Sequence, residues 1–157
     1  MSNVRSWTLT DISQRIYVDE LDLNPSAVAI PSDVAWSIRK RTLRGGMCDG
    51  VDIIEVNNGV LSFTVVPTRG MGLWRGSYDG LDLGWNAPVN GPVHPAFVNG
   101  MDQGGLGWVK GFDECIVRCG LGSNGPPCTD IVPDNNGNPS EVNLTLHGRI
   151  ANLPATR

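Results

Sequence analysis

The sharpest chemical signal in the chain is the tripeptide His147-Gly148-Arg149. An imidazole can donate or accept a proton near neutral pH. Gly148 lets the backbone turn sharply behind the histidine, and Arg149 adds a permanent cation with a forked set of donors. The same tripeptide also fits a plain solvent-facing turn. Arg69 is a second candidate, set between Thr68 and Gly70 just after an apolar segment. Its guanidinium can grip a hydroxyl or carboxylate bidentately, or staple the turn through an internal salt bridge. Asp113 and Glu114 offer acceptors for hydroxyls, or are merely solvated. The run Gly120-Leu-Gly-Ser-Asn-Gly-Pro-Pro127 can present backbone amides and Asn124 to a polar ligand, or serve as a simple surface loop; it lacks phosphate-loop spacing. Trp85, Trp108 and Phe112 are flat rings that either stack on the apolar face of a sugar or plug the core. His94, close to Pro92 and Pro95, reads as structural.

Other chemistries are argued against. The four cysteines, Cys48, Cys115, Cys119 and Cys128, form no CxxC pair, so zinc is not expected, and neither is any other metal or cofactor. The basic run Arg39-Lys40-Arg41 with Arg44 reads as a solvated strand face, because alternation sends only half of it to one side. A net charge of −4 and a pI near 5.0 give no field that draws the chain to nucleic acid or an anionic membrane. No apolar run reaches the length of a membrane span, and Met1 to Trp7 lacks an apolar signal core. The expectation is a cytoplasmic protein with reduced thiols, in which Asn143-Leu-Thr145 matches a glycosylation acceptor by chance.

These residues need elements to hold them. A chain of 157 residues makes one domain, or a piece of a larger one. Its 40% hydrophobic and 18% charged residues suit a packed core, while 20 glycines and 11 prolines exclude a helical bundle and favour short strands joined by turns. Residues 1–35, polar and with two prolines, are expected to form an extension packing on the rest, with short strands at Trp7–Leu9 and Ile16–Val18. Residues 36–157 are expected to form the main β domain. Val34, Trp36 and Ile38 alternate with Ser37, Arg39 and Arg41, a period of two. Val51–Val56 and Leu61–Val65 flank Asn58-Gly59, a hairpin signal that asks for positive φ angles. Leu73–Tyr78 and Leu81–Trp85 flank a turn at Asp79-Gly80. Residues 86–114 read as a long irregular excursion, Cys115–Cys119 as a short buried strand, 120–140 as a second loop, and Val142–His147 as the last strand. That strand has no sequential partner, which suggests the front part of a longer protein.

Three segments together resemble the DUF4432 family, within the aldose 1-epimerase or galactose mutarotase-like proteins. They are Phe63-Thr-Val-Val-Pro-Thr-Arg-Gly-Met71; Gly107-Trp-Val-Lys-Gly-Phe-Asp113 with Cys119-Gly-Leu121 and Gly125-Pro-Pro127; and Leu146-His-Gly-Arg-Ile-Ala-Asn-Leu-Pro-Ala155. Leu83–Pro88 and Pro92–Pro95 fit the same pattern. The resemblance covers about residues 36–155 and matches only the N-terminal part of such proteins. It implies an all-β architecture: an antiparallel β-sandwich, the N-terminal part of a mutarotase-like supersandwich, with a cleft for a sugar as the partner. The implied activity is interconversion of α and β anomers by acid–base ring opening. His147 would protonate the ring oxygen, and Arg149 would hold substrate oxygens or a phosphate, with Arg69, Asn124, Asp113 and Trp108 also binding substrate. The resemblance places the carboxylate base beyond Arg157 and leaves a second family histidine without a counterpart. Each such group contributes about 10²–10⁴-fold, so this chain alone is expected to be nearly inactive. The alternative is a non-catalytic carbohydrate-binding sandwich.

Overall fold

The β-branched and aromatic residues of 51–66 fold into the hairpin their alternation predicts. The structure, a computed structural model, describes residues 4–157. Ten short strands run through the described residues: β1 (Thr10–Asp11), β2 (Ile16–Tyr17), β3 (Leu21–Leu23), β4 (Ser37–Thr42), β5 (Asp52–Asn57), β6 (Leu61–Val66), β7 (Gly72–Tyr78), β8 (Leu81–Leu83), β9 (Cys128–Pro133) and β10 (Pro139–Leu144). Strands β3 to β8 form one antiparallel meander, each paired with its sequence neighbours. β1–β2 and β9–β10 are separate two-stranded ribbons. The all-β antiparallel class holds, and no helix among the described residues is long and apolar enough to cross a membrane.

Turn chemistry sets the register. Between β5 and β6 only Gly59 takes a positive φ, at 94°. Asn58 acts instead through its side chain, whose Oδ1 accepts the amides of Val60 and Leu61 at 3.1 and 2.7 Å. Between β7 and β8, Asp79 and Gly80 both have positive φ and Tyr78 faces Leu81, the two-residue hairpin that matches strand twist. A bulge in β7 opposite β6 turns Trp74 onto the core of Val51, Ile53 and Val66.

Alternation divides the basic run as charge solvation requires. Arg39 and Arg41 are exposed beside Asp22 and Glu55, on the face that buries Ile53 farther along, while Lys40 is buried on the other face against Asp52 at 2.9 Å. That second face also carries Ile38, Ile54, Val56, Phe63 and Val65, all half-buried.

Several expected elements differ. The first strand lies at Thr10–Asp11, not Trp7–Leu9. Cys115–Cys119 is not a buried strand: Ile116 alone bridges to Leu73, and Cys115 is exposed. The expected loop 120–140 contains β9, paired with β10 around a turn in which Asp134 Oδ1 accepts the amides of Asn136 and Asn138. The last strand stops at Leu144, before His147.

The C-terminal segment returns to the sheet. Gly70 N–H donates to Leu153 O at 3.0 Å, and Ala155 N–H to Pro67 O at 2.9 Å. Gly70 has φ of 58°, and an added Cβ would collide with the backbone of Ile150. At the other side Ile12 N–H donates to Thr156 O, and Arg157 lies 3.5 Å from Asp11. The Ser13 hydroxyl holds the Asp11 carboxyl below its ordinary value near 3.8, with help from the Gln14 and Ser13 amides and against the cost of burial.

Two measurements check this clasp. Gly70→Ala is expected to cost about 2–3 kcal/mol in urea unfolding, through its left-handed φ and the collision with Ile150. The stability contributed by Asp11 is present above its ordinary pKa and lost as pH falls through the lower folded value. Asp11→Asn should therefore flatten the acid limb of the stability–pH profile, measured between about pH 5 and pH 2.

Candidate active site

Arg69 closes a short turn at Pro67–Arg69 and is 1% exposed, so its charge demands full pairing. Nε donates to Glu114 Oε1 at 2.5 Å and one terminal nitrogen to Oε2 at 3.5 Å. The other terminal nitrogen donates to Val93 O at 2.9 Å and to Asn152 Oδ1 at 3.0 Å. One side chain thus ties the end of β6 to the long excursion at Val93 and Glu114 and to the C-terminal turn Ile150–Asn152. Of the two readings its sequence allowed, the internal staple is the one formed.

Asp113 and Glu114 are likewise inside. Asp113 accepts from Trp74 Nε1 at 2.7 Å, and its amide donates to Glu114 Oε2 at 3.1 Å. Trp85 Nε1 donates to Glu114 O. From Trp85 a ladder of rings runs inward: Phe112 at 4.9 Å, then Trp108 stacked on Phe112 at 4.6 Å, then His147 edge-on to Trp108 at 4.9 Å.

Beside Trp108 opens a cleft of about 640 Å³, the size of a small-ligand site. Segments from the excursion, the loop before β9, the end of β10 and the C-terminal turn converge on it. Its polar groups include Ser123, Asn143, Thr145, Arg149 and Asn152. His147 is not on the lining, but Thr145, Gly148 and Arg149 around it are. The histidine takes φ of 53°, left-handed for a non-glycine residue, which places it in a turn rather than at a strand end. Gly120 cradles that turn, donating to His147 O at 2.9 Å and accepting from Arg149 N–H. A Cβ at Gly148 would stand 2.5 Å from Ser123 O, so only glycine fits there. His147 Nδ1 and Trp108 Nε1 are buried without hydrogen-bond partners among the described residues.

The expected site residues therefore separate. Trp108 and Arg149 line the cleft, and His147 stands behind Trp108. Arg69 and Asp113 are buried beneath it in structural pairs. Asn124 is exposed and off the lining, because its loop supports the histidine turn while only Gly122 and Ser123 reach the cleft. His94 is held by its own turn, with Nδ1 accepting the Ala96 amide. Sequence reasoning passed over Asn152, and it read Asn143 only as part of a strand and of a chance glycosylation match. Among the described residues no group of His, Cys, Asp or Glu is arranged to hold a metal ion.

The antiparallel β-sheets match an aldose epimerase-like β-sandwich, in a galactose mutarotase-like family. Residues 48–157 match the family described as "Domain of unknown function (DUF4432)", and the chain belongs to that family. It is similar to the crystal structure of "a putative aldose 1-epimerase from Klebsiella pneumoniae subsp. pneumoniae MGH 78578", with 36% identity and a TM-score of 0.82. That match covers 96% of this chain and 37% of the other, so this chain spans little more than a third of its length. No curated protein matches.

Breaking the central pair tests its role. Glu114→Gln leaves a buried guanidinium without its counter-charge and is expected to cost about 3–5 kcal/mol in urea unfolding. The double variant Arg69→Met/Glu114→Leu should cost much less than the sum of the single changes.

Proposed function

We propose that this chain carries the sugar-binding cleft and the acid residue of an aldose 1-epimerase-type isomerase. The observation that carries the reading is the convergence of Trp108, Arg149 and Asn152 on a cleft of about 640 Å³, with an unpartnered imidazole directly behind Trp108. Trp108, 5% exposed and stacked on Phe112, contributes apolar lining for a pyranose, and the amides and hydroxyls around it take the ring substituents. The similarity to an epimerase-like structure at 36% identity supports a sugar as the ligand. Fold alone does not assign a reaction, so the chemistry rests on His147.

Ring opening needs a proton delivered to the ring oxygen as the anomeric hydroxyl loses its own. The imidazole is the group for the first step, and it returns to its starting state when the ring closes on the other face. Its Nδ1 has no hydrogen-bond partner among the described residues. The left-handed backbone at His147 is held by Gly120 and Gly148, a fixed mounting of the kind that positions reactive side chains. The partner carboxylate is not supplied by Asp113 or Glu114, which are committed to Trp74 and Arg69. The family resemblance places it beyond Arg157. Four free cysteines support a reducing, cytoplasmic setting.

One observation favours a second reading. The imidazole is absent from the cleft lining and has no orienting partner, as suits a carbohydrate-binding module without chemistry. Two measurements separate the readings. Titrating the chain with aldoses should change its tryptophan fluorescence, and Trp108→Ala should weaken binding by about 10-fold or more. Polarimetry on fresh α-D-glucose and α-D-galactose, with a longer protein carrying these same residues, should show mutarotation above buffer. His147→Asn should lower that rate about 10²–10⁴-fold. Binding with anomer exchange at the buffer rate would leave only the binding module.

A further inference from the structure

We propose that Arg69, buried beneath the cleft, is a positioning residue that acts through Asn152. The guanidinium claims the amide oxygen, so Asn152 meets a sugar as a donor and selects a hydroxyl oxygen that accepts at that point. The inference rests on the sugar-binding reading above and adds to it the residue that sets the sign of one contact.

Arginine carries donors and no acceptor. The Arg69 nitrogen that donates to Val93 O at 2.9 Å also stands 3.0 Å from the Asn152 side chain. Only the amide oxygen can face it. The reverse orientation would set N–H against N–H beside a cation that is 1% exposed, where an unpaired donor is costly. Arg69 cannot swing aside to relieve that clash, because the two Glu114 oxygens hold its other nitrogens.

The backbone that carries the amide is held as firmly. Ile150 N–H donates to Gly120 O at 3.2 Å, Ala151 is fully buried, and Leu153 O accepts from Gly70 N–H at 3.0 Å. Gly70 caps the short turn that ends in Arg69, so the segment that buries the guanidinium also fixes the turn Ile150–Asn152. Asn152 itself is half-buried and lines the cleft. With its oxygen committed to Arg69, what it brings to a ligand is an NH2 group. The Ser123 and Thr145 hydroxyls on the same lining can donate or accept, whereas this group only donates. A sugar hydroxyl placed against it must accept, and its own proton is free to go elsewhere.

The test is titration of the chain, followed by tryptophan fluorescence, with D-glucose, D-galactose and each of their monodeoxy and monodeoxyfluoro derivatives. Fluorine accepts weakly and cannot donate. At one ring position the deoxy sugar is expected to bind about 5- to 10-fold more weakly than the parent, and the fluoro sugar about threefold more tightly than the deoxy sugar. Asn152→Asp satisfies Arg69 with a carboxylate oxygen but has no proton to give. There the fluoro sugar should bind no better than the deoxy sugar, while stability to urea stays at or above the wild-type value. Arg69→Met/Glu114→Leu releases the amide to turn, and the fluoro preference should shrink to within about 1.5-fold, with circular dichroism checking the fold. Should that double variant lose its fold, Asn152→Asp alone decides. A fluoro preference that survives Asn152→Asp, or that persists in full in the folded double variant, overturns the proposal. So does a panel in which no fluoro sugar binds more tightly than its deoxy counterpart, and the sugar-binding reading then still stands. Binding of no sugar of any kind overturns both.

Discussion

A guanidinium buried to 1% exposure is the constraint on which this half of the molecule is arranged. Arginine does not lose its proton in proteins, so Arg69 cannot escape burial by neutralising. It can only be surrounded. The chain surrounds it with a carboxylate, a carbonyl and an amide oxygen drawn from three separated segments. Each of those segments is poor in regular structure, and none has a sheet to define its path. The cost of leaving any donor unpaired fixes them instead. A loop of nearly thirty residues is thereby held without strands of its own.

The consequences reach the cleft by packing rather than by contact. Glu114 is placed by Arg69; Trp85 hydrogen-bonds to the Glu114 carbonyl; Phe112 and Trp108 stack inward from Trp85 to His147. Gly111 is part of this arrangement, since a Cβ there would stand 3.0 Å from the Arg69 guanidinium. Trp108, the ring that lines the cleft, therefore rests through Phe112 and Trp85 on a polar pair rather than on the aliphatic core of the sheet. That core, Val51, Ile53 and Val66, is small and lies at the end of β6 where the Arg69 turn begins.

How much of this was legible follows from which forces are local. The hairpins 51–66 and 72–83 were readable because both their strands and their turns are encoded within a few residues. Asn58-Gly59 and Asp79-Gly80 fix registers that alternation then repeats. β9 was missed because both of its faces are largely exposed: Thr129, Asp130 and Ile131 give no apolar stripe, and the pairing with β10 is set by Asp134 in the turn. Cys115–Cys119 failed for the opposite reason, an apolar-looking segment that the fold leaves outside. The histidine turn was found through residue type, while the strand expected to carry it ends three residues early.

The two arginines show where sequence reasoning stops. Arg69 and Arg149 each sit beside a glycine near a strand end, and nothing in residue type separates them. Their environments do. Burial makes an unpaired charge intolerable, so the inner arginine is saturated by the chain and has no donor to spare. Exposure makes an unpaired charge cheap, so the outer arginine stands without an ion-pair partner among the described residues. Asn152 joins the two cases, since its oxygen answers the buried cation and the residue lines the cleft that Arg149 also lines. The structural arginine thus orients a cleft-lining amide without reaching the cleft itself.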